Sequence, residues 1–285
     1  MFVGLATVDL VHRVARPVGV DEKATALTQE IVAGGPAANA AVTFALLGGD
    51  AVLITDLGDH PLADLARRDV ATYGVHIRAV EPNHAGAPAV SSIRVLDATG
   101  ERSVVSVNAA ARTVAAPDWL PDALDDADVL LLDGHHPLLA VAAARSARDR
   151  NVPVVLDAGS WKPVLDELLP LVDSAVCSAD FTVPGDPDPA AALLARGVAT
   201  VAVSRGGRPL RWWSGGRSGQ VPPPEVEVRD TLGAGDVLHG AFAWERARAS
   251  GDLAGQLARA ARVASERCTF VGIGAWRRHR RSRGR

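Results

Sequence analysis

Asp230-Thr231-Leu232-Gly233-Ala234-Gly235-Asp236, continued by Val237-Leu238-His239-Gly240-Ala241-Phe242, decides how this chain is read. Ala234, Val237, Leu238, Ala241 and Phe242 are apolar at helical spacing, so a buried helix is predicted with the two glycines at or just before its first turn. A helix N-terminus leaves about four backbone N–H groups without intrahelical partners and carries roughly half a positive charge, which attracts anions. Glycine lets a phosphate approach that main chain. A carboxylate in the same pocket repels a phosphate unless it has work to do, and accepting a proton from an attacking hydroxyl is such work. Asp236 is therefore the candidate base, with Gly233, Ala234 and Gly235 as the phosphate cradle. The heptad alone reads more readily as a tight turn followed by an acid that the helix dipole favours.

A second motif lies near the other end, in Gly34-Gly35-Pro36-Ala37-Ala38-Asn39-Ala40-Ala41. Ala38, Ala41, Val42, Ala45 and Leu46 repeat the helical spacing, and Gly48-Gly49 supply the stop. Asn39 lies off that stripe near the helix start, where its amide can both donate to and accept from hydroxyls, or help cap the helix. Upstream, the run 2–5 leads into Thr7-Val8-Asp9 and reads as a first buried strand with a carboxylate at its C-terminal end, the edge where open α/β sheets bind ligands.

Together these two motifs resemble the C-terminal signature and the N-terminal Gly-Gly motif of the ribokinase-like sugar kinases, the PfkB family. The resemblance implies an α/β fold: a doubly wound, mostly parallel sheet with helices on both faces, plus a small β-sheet lid over the sugar. It implies ATP and Mg²⁺ as cofactors and leaves K⁺ activation open. Asp9, Gly34, Gly35 and Asn39 become substrate residues. Ser204-Arg205-Gly206-Gly207 resembles the family's Thr/Ser-x-Gly turn, so Ser204, Gly206 and Thr231 are expected beside ATP. Arg102 resembles an arginine that faces the nucleotide phosphates in ketohexokinase-like members; as a plain hairpin-tip charge it needs no such role. His135, in Asp133-Gly134-His135-His136-Pro137, is a further candidate for hydrogen bonding to substrate, or part of a strand-end turn. There is one departure: where many members carry Asn-x-x-Glu, this chain has Ser178-Ala179-Asp180-Phe181, so the metal ligands are unknown. Gly4-Leu5 with Asp9, Pro222-Pro223-Pro224 and Arg267-Cys268 resemble the ketohexokinase branch, and Gly-Asp-Val-x-His-Gly-Ala also resembles sulfofructose kinases. A ketose or furanose is the substrate this implies. The alternatives are a nucleoside kinase of the same family and a non-catalytic sugar-binding regulator.

Strand-like runs at 51–55, 129–132, 154–156, 174–177 and 200–203 alternate with helical runs at 61–72, 137–148, 164–169 and 189–195. Such alternation implies a mostly parallel sheet covered on both faces. The stretch 91–107, with a turn at 97–100, reads as a β-hairpin. Lid segments are expected at about 10–33 and 84–108, inserted in a single domain spanning 1–276. An exposed lid edge needs covering, and by family analogy a homodimer through the lid does so.

The 285 residues are ample for a large core, and 48% hydrophobic with 22% charged residues is ordinary for a folded protein. Two cysteines without Cys-x-x-Cys spacing argue against a disulfide framework. No run approaches the roughly 18 apolar residues of a membrane span. The opening residues read as a strand rather than a charged signal region, so a cytoplasmic location is expected. Net charge is −3, yet Arg277, Arg278, Arg280, Arg281, Arg283 and Arg285 crowd the last nine residues. The segment 277–285 is expected to be a basic, disordered tail. The remaining body, with 24 basic against 33 acidic residues, offers no surface for nucleic acid.

Overall fold

The computed structural model describes residues 1–110, 112–249 and 251–283. The strands are β1 (Phe2–Val3), β2 (Thr7–Val14), β3 (Thr28–Gly34), β4 (Ala51–Thr55), β5 (Val75–Ala79), β6 (Ala89–Leu96), β7 (Arg102–Ser106), β8 (Leu130–Leu132), β9 (Val154–Ala158), β10 (Ser174–Cys177), β11 (Thr200–Arg205), β12 (Arg208–Ser214) and β13 (Arg217–Val221). The helices are α1 (Pro36–Leu46), α2 (Pro61–Thr72), α3 (Pro137–Asp149), α4 (Leu165–Leu168), α5 (Pro189–Ala195), α6 (Ala234–Ala247), α7 (Leu253–Cys268) and α8 (Ile273–Arg283).

Strands β1, β4, β5 and β8–β13 form one sheet in the order β13-β12-β11-β10-β9-β8-β1-β4-β5. Every pair from β11 to β5 is parallel, and the two pairs at the margin, β11–β12 and β12–β13, are antiparallel. The parallel strands are short continuous apolar runs because both faces are covered. One face carries α1, α2, α6 and α7 over Phe2, Leu53, Leu131 and Val155. The other carries α3, α4 and α5 over Val3, Ile54, Leu130 and Leu156. The chain winds outward from β1 in one direction through β4 and β5, then resumes on the other side of β1 with β8. Ligands of open α/β sheets bind at such a switch point.

Strands β3-β2-β6-β7 form the separate four-stranded lid. The lid begins earlier than expected, at Thr7, which corrects the placement of Asp9. The core strand ends at Val3, and Asp9 is the third residue of lid strand β2, paired with Val32 and Ser91. Val11 of β2 joins Ile93 and Val95 in the lid's small core, which Leu232 of the heptad completes, whereas Val8 packs into the main core. Arg13 of β2 donates to the carbonyl of Arg229 at 3.0 Å. The lid is thus fastened to the segment that leads into α6.

The basic tail is also corrected. Residues 277–283 continue α8, in which Ile273, Trp276 and Arg277 are buried. Trp276 and Ile273 give the arginine-rich segment an apolar anchor, so the helix docks on the body rather than remaining solvated. Arg285 lies outside the described residues.

Helices α1 and α6 touch backbone to backbone. A Cβ built on Gly240 meets the carbonyl oxygen of Ala40 at 2.3 Å and Thr43 Cβ at 2.8 Å. A Gly240→Ala variant is expected to lose about 1–3 kcal/mol through overpacking, read as a lowered Tm in thermal unfolding; an unchanged Tm excludes tight contact there.

Candidate active site

Asp133 organises the switch point from the end of β8. Its Oδ2 accepts from the N–H of Leu5 at 2.8 Å and of Ala37 at 3.2 Å, and its Oδ1 from the N–H of His135 at 3.0 Å. One buried carboxylate therefore ties the exit of β1 to the first turn of α1. Gly35, the N-cap of α1, has φ 92°, and a Cβ on it would meet the carbonyl oxygen of Leu5 at 2.4 Å. Gly34 faces the Asp9 carboxylate, which a Cβ would overlap. Asp9 accepts from Thr7 Oγ1 at 2.6 Å, and burial raises its pKa above the usual carboxylate range.

Asn39 and Asp236 meet across the α1–α6 contact. Asn39 Nδ2 donates to Asp236 Oδ2 at 2.5 Å. Gly233 is the N-cap of α6 with φ 74°, and Asp236 sits in the first turn. Burial first, and the Asp157 charge second, push the Asp236 pKa up to about 6. The group is a carboxylate at neutral pH with appreciable proton affinity, as a general base requires. Of the expected cradle, the Ala234 N–H donates to the carbonyl of Thr231 at 3.2 Å. Gly235 is exposed, with nothing within 4 Å of a built Cβ.

The heptad's other end is structural. Buried Asp230 accepts from the N–H of Leu232 at 2.8 Å and of Gly272 at 2.9 Å, flanked by Arg267 and Arg13 at 3.5 and 3.7 Å. Thr231 Oγ1 accepts from Arg102 Nη1 at 3.3 Å, which brings the lid arginine to the heptad. Arg102 and Thr231 line a cavity of about 710 Å³ together with Arg94 and Asp180. Two guanidinium groups at one cavity suit an oligophosphate.

Ser204 and Gly206 are not among the residues that line this cavity. Ser204 Oγ donates to the carbonyl of Cys177 at 3.2 Å near the end of β11, and Gly206, at φ 61°, turns the chain into β12. His135 is held through its main chain, and burial lowers its pKa, so its ring is a neutral donor and acceptor. No hydrogen bond joins that ring to Asp9, Asn39 or Asp236.

Among the described residues, Asp157, Asp236 and His239 bring ligand-type atoms within 4.8 Å of one another. Mg²⁺ asks for about six oxygens in an octahedron and keeps several waters. This set offers one nitrogen and is already paired internally: His239 Nδ1 faces Asp157 Oδ2 at 3.2 Å and Asp236 takes the Asn39 amide. It does not fit Mg²⁺ as a resident ion.

Three residues of this region carried no assignment from sequence. Arg277 of α8, fully buried, donates through Nη2 to Asn39 Oδ1 and through Nη1 to the Ala33 carbonyl at 3.1 Å and to Asp69 Oδ2 at 3.2 Å. Asp157 is the penultimate residue of β9, and a carboxylate near the end of an apolar strand was the available signal. His239 follows Asp236 by three residues, the spacing that puts two side chains on one helix face.

A nucleotide-sized cavity beside a helix N-terminus, and a proton-accepting carboxylate under a lid, are the parts of a phosphoryl-transfer site. The sequence matches the model of the pfkB family carbohydrate kinases over residues 1–276, and the chain belongs to that family. It is 30% identical to the ATP-dependent ribose-1-phosphate kinase of Halopiger xanaduensis, over 82% of this chain and 80% of that one. It is 26% identical to the deoxyribokinase of Salmonella typhi, over 85% and 83%. The fold is shared with the ribokinase of Arabidopsis thaliana complexed with ribose and ATP, at TM-score 0.79, 23% identity and 98% and 96% coverage. It is shared likewise with the ribokinase of Thermotoga maritima, at TM-score 0.77, 21% identity and 98% and 97% coverage. The protein is a sugar or nucleoside kinase of the ribokinase-like kind. The narrower resemblance to ketohexokinases and sulfofructose kinases is not supported, because the relatives are kinases of ribose, deoxyribose and ribose 1-phosphate. The motifs behind it, such as Arg267-Cys268, sit in contacts that build the scaffold, with Arg267 buried against Asp230. Among the described residues no helix is long and apolar enough to cross a membrane.

Proposed function

We propose that this kinase transfers the γ-phosphoryl group of ATP to a primary hydroxyl of a small furanose sugar. The observation that carries the reading is the Asp236 carboxylate at the N-terminus of α6, held at 2.5 Å by the Asn39 amide and facing the Asp9 charge. In this reading Asp9 and Asn39 hold sugar hydroxyls, and Asp236 accepts the hydroxyl proton as the oxygen–phosphorus bond forms. The bond between the γ-phosphorus and its bridging oxygen breaks, and ADP leaves. The first-turn N–H groups of α6 and the Arg102 guanidinium offset charge on the transferred group. Mg²⁺ accompanying ATP would supply charge neutralisation, and Asp180 and Thr231 line the cavity that would hold it. Closing the β2-β3-β6-β7 lid excludes water, the competing acceptor.

ATP consumption with ribose, deoxyribose, ribose 1-phosphate, fructose and adenosine tests the proposal. Turnover with one of the furanose pentoses is expected. Turnover with adenosine alone makes the protein a nucleoside kinase, and binding of a sugar without turnover makes it a regulator.

A further inference from the structure

His239 Nε2 lies 2.9 Å from the carbonyl oxygen of Val176. A carbonyl only accepts, so Nε2 carries hydrogen and is the donor. The other ring nitrogen, Nδ1, faces Asp157 Oδ2 at 3.2 Å, and both side chains are 6% exposed. Nδ1 is buried and has no aligned hydrogen-bond partner, and an unprotonated Nδ1 beside an ionised carboxylate is unfavourable; one proton shared between the two, on the ring or on the carboxyl, with a small rotation of either side chain, satisfies both. In either form the pair is neutral.

Asp236 stands beside this pair, with its ligand-type atom within 4.8 Å of both partners. Two carboxylates this close, with nothing between them, hold one proton in common, and loss of the last proton moves to higher pH. We propose that Asp157 and His239 form a proton-sharing pair that positions the site's charge, supplying Asp157 with its proton so that Asp236 is free to ionise as the base. The inference rests on Asp236 being that base.

The other charged groups around the pair fit this assignment. Asp133 from β8 and Lys162, which follows β9, face Asp157 with opposite signs. Arg102 from β7 faces Asp236, and Asp9 from β2 and Asp236 face each other. Cys177 of β10 also borders Asp157, and burial pushes its thiol up to about 12, so it stays neutral. Arg277 is engaged with Asn39 and Asp69. None of these groups carries a proton that Asp157 can share at hydrogen-bond distance; only His239 does. Burial raises the Asp157 pKa, in keeping with a carboxyl that shares a proton rather than standing alone as an anion.

The test is a set of pH profiles of kcat/KM for wild type, His239→Asn, Asp157→Asn and the double variant. His239→Asn leaves Asp157 to compete with Asp236 for one proton, so the acid limb is expected to move to higher pH by about one unit or more. The double variant removes the competitor and is expected to return the limb to its wild-type position. A merely structural role lowers kcat without moving the limb and makes the double variant worse than either single one; that result overturns the proposal. The shared proton is also read without turnover. At pH 7.5 the wild type is expected to show either an imidazolium ¹⁵N signature at His239 or a protonated-carboxyl infrared band that vanishes in Asp157→Asn. A neutral ring with no such band overturns the pair even if Asp236 is the base. Should Asp236→Asn retain full turnover, the base assignment falls instead, whatever the spectra show.

Discussion

An Asp236→Asn variant is expected to fold, bind ATP and lose turnover by about 10²-fold or more, the scale of general-base catalysis. Asparagine keeps the size of the side chain, and its Oδ1 can still accept from Asn39 Nδ2, now at 2.5 Å from the carboxylate. It cannot take a proton. Stability should not suffer. Burial raises the Asp236 pKa to about 6, so above the unfolded carboxylate range the ionised form costs the fold free energy, and asparagine removes that cost. Unchanged or higher Tm with collapsed kcat is therefore the expected pair of results. The same pKa sets the pH dependence of the wild type. The base works when ionised, so kcat/KM should fall about tenfold per pH unit well below pH 6, and the residual activity of Asp236→Asn should be flat through that range. Near-wild-type kcat in the variant would eliminate Asp236 as the base.

The stretch that carries this residue was legible because helix periodicity and helix-end electrostatics are local. Helices α1, α2, α5 and α6 begin where a proline or glycine precedes an apolar stripe, and β4 and β10 are uninterrupted apolar runs, so spacing alone locates them. The elements that escaped are those whose partners lie far off in sequence. Strand β2 follows β1 after a gap of only three residues, and nothing local tells that the chain leaves the core sheet for the lid at Thr7. The β12 strand carries Arg211, Trp212 and Trp213 at the sheet's antiparallel margin and lacks a buried-strand pattern. The candidate site divides in the same way. Asp9, Asn39 and Asp236 stood out because each is a polar group at the edge of an apolar element. The Asp157–His239 contact spans 82 residues of chain and two elements, and only the fold reveals it.

Arg277 is the extreme case, since composition placed it in a solvated arginine run while the fold buries it against Asn39, 238 residues away. Its guanidinium dictates the amide orientation of Asn39. A group with donors only must face Oδ1, which leaves Nδ2 for Asp236. Arg277→Ala leaves Asn39 Oδ1 and the Ala33 carbonyl without this donor, and Asp69, 22% exposed, without its cation. Breaking a buried pair in this way costs about 3–5 kcal/mol, and the partial exposure of Asp69 puts the expectation at the low end. At about 2–4 °C per kcal/mol for a large domain, the fall in Tm should be on the order of 5–10 °C. Below the melting range, the freed Asn39 amide should raise the sugar KM and lower kcat together, because the same side chain serves the substrate and Asp236. Arg277→Lys keeps the charge but not the fork that reaches three oxygens, so partial recovery is expected. Arg280→Ala is the control: Arg280 pairs with Glu266 near the surface, both sides partly exposed, a bond worth about 1 kcal/mol or less. If Arg277→Ala behaves like Arg280→Ala in both melting and kinetics, α8 is an appendage after all, and Asn39 is oriented by Asp236 alone.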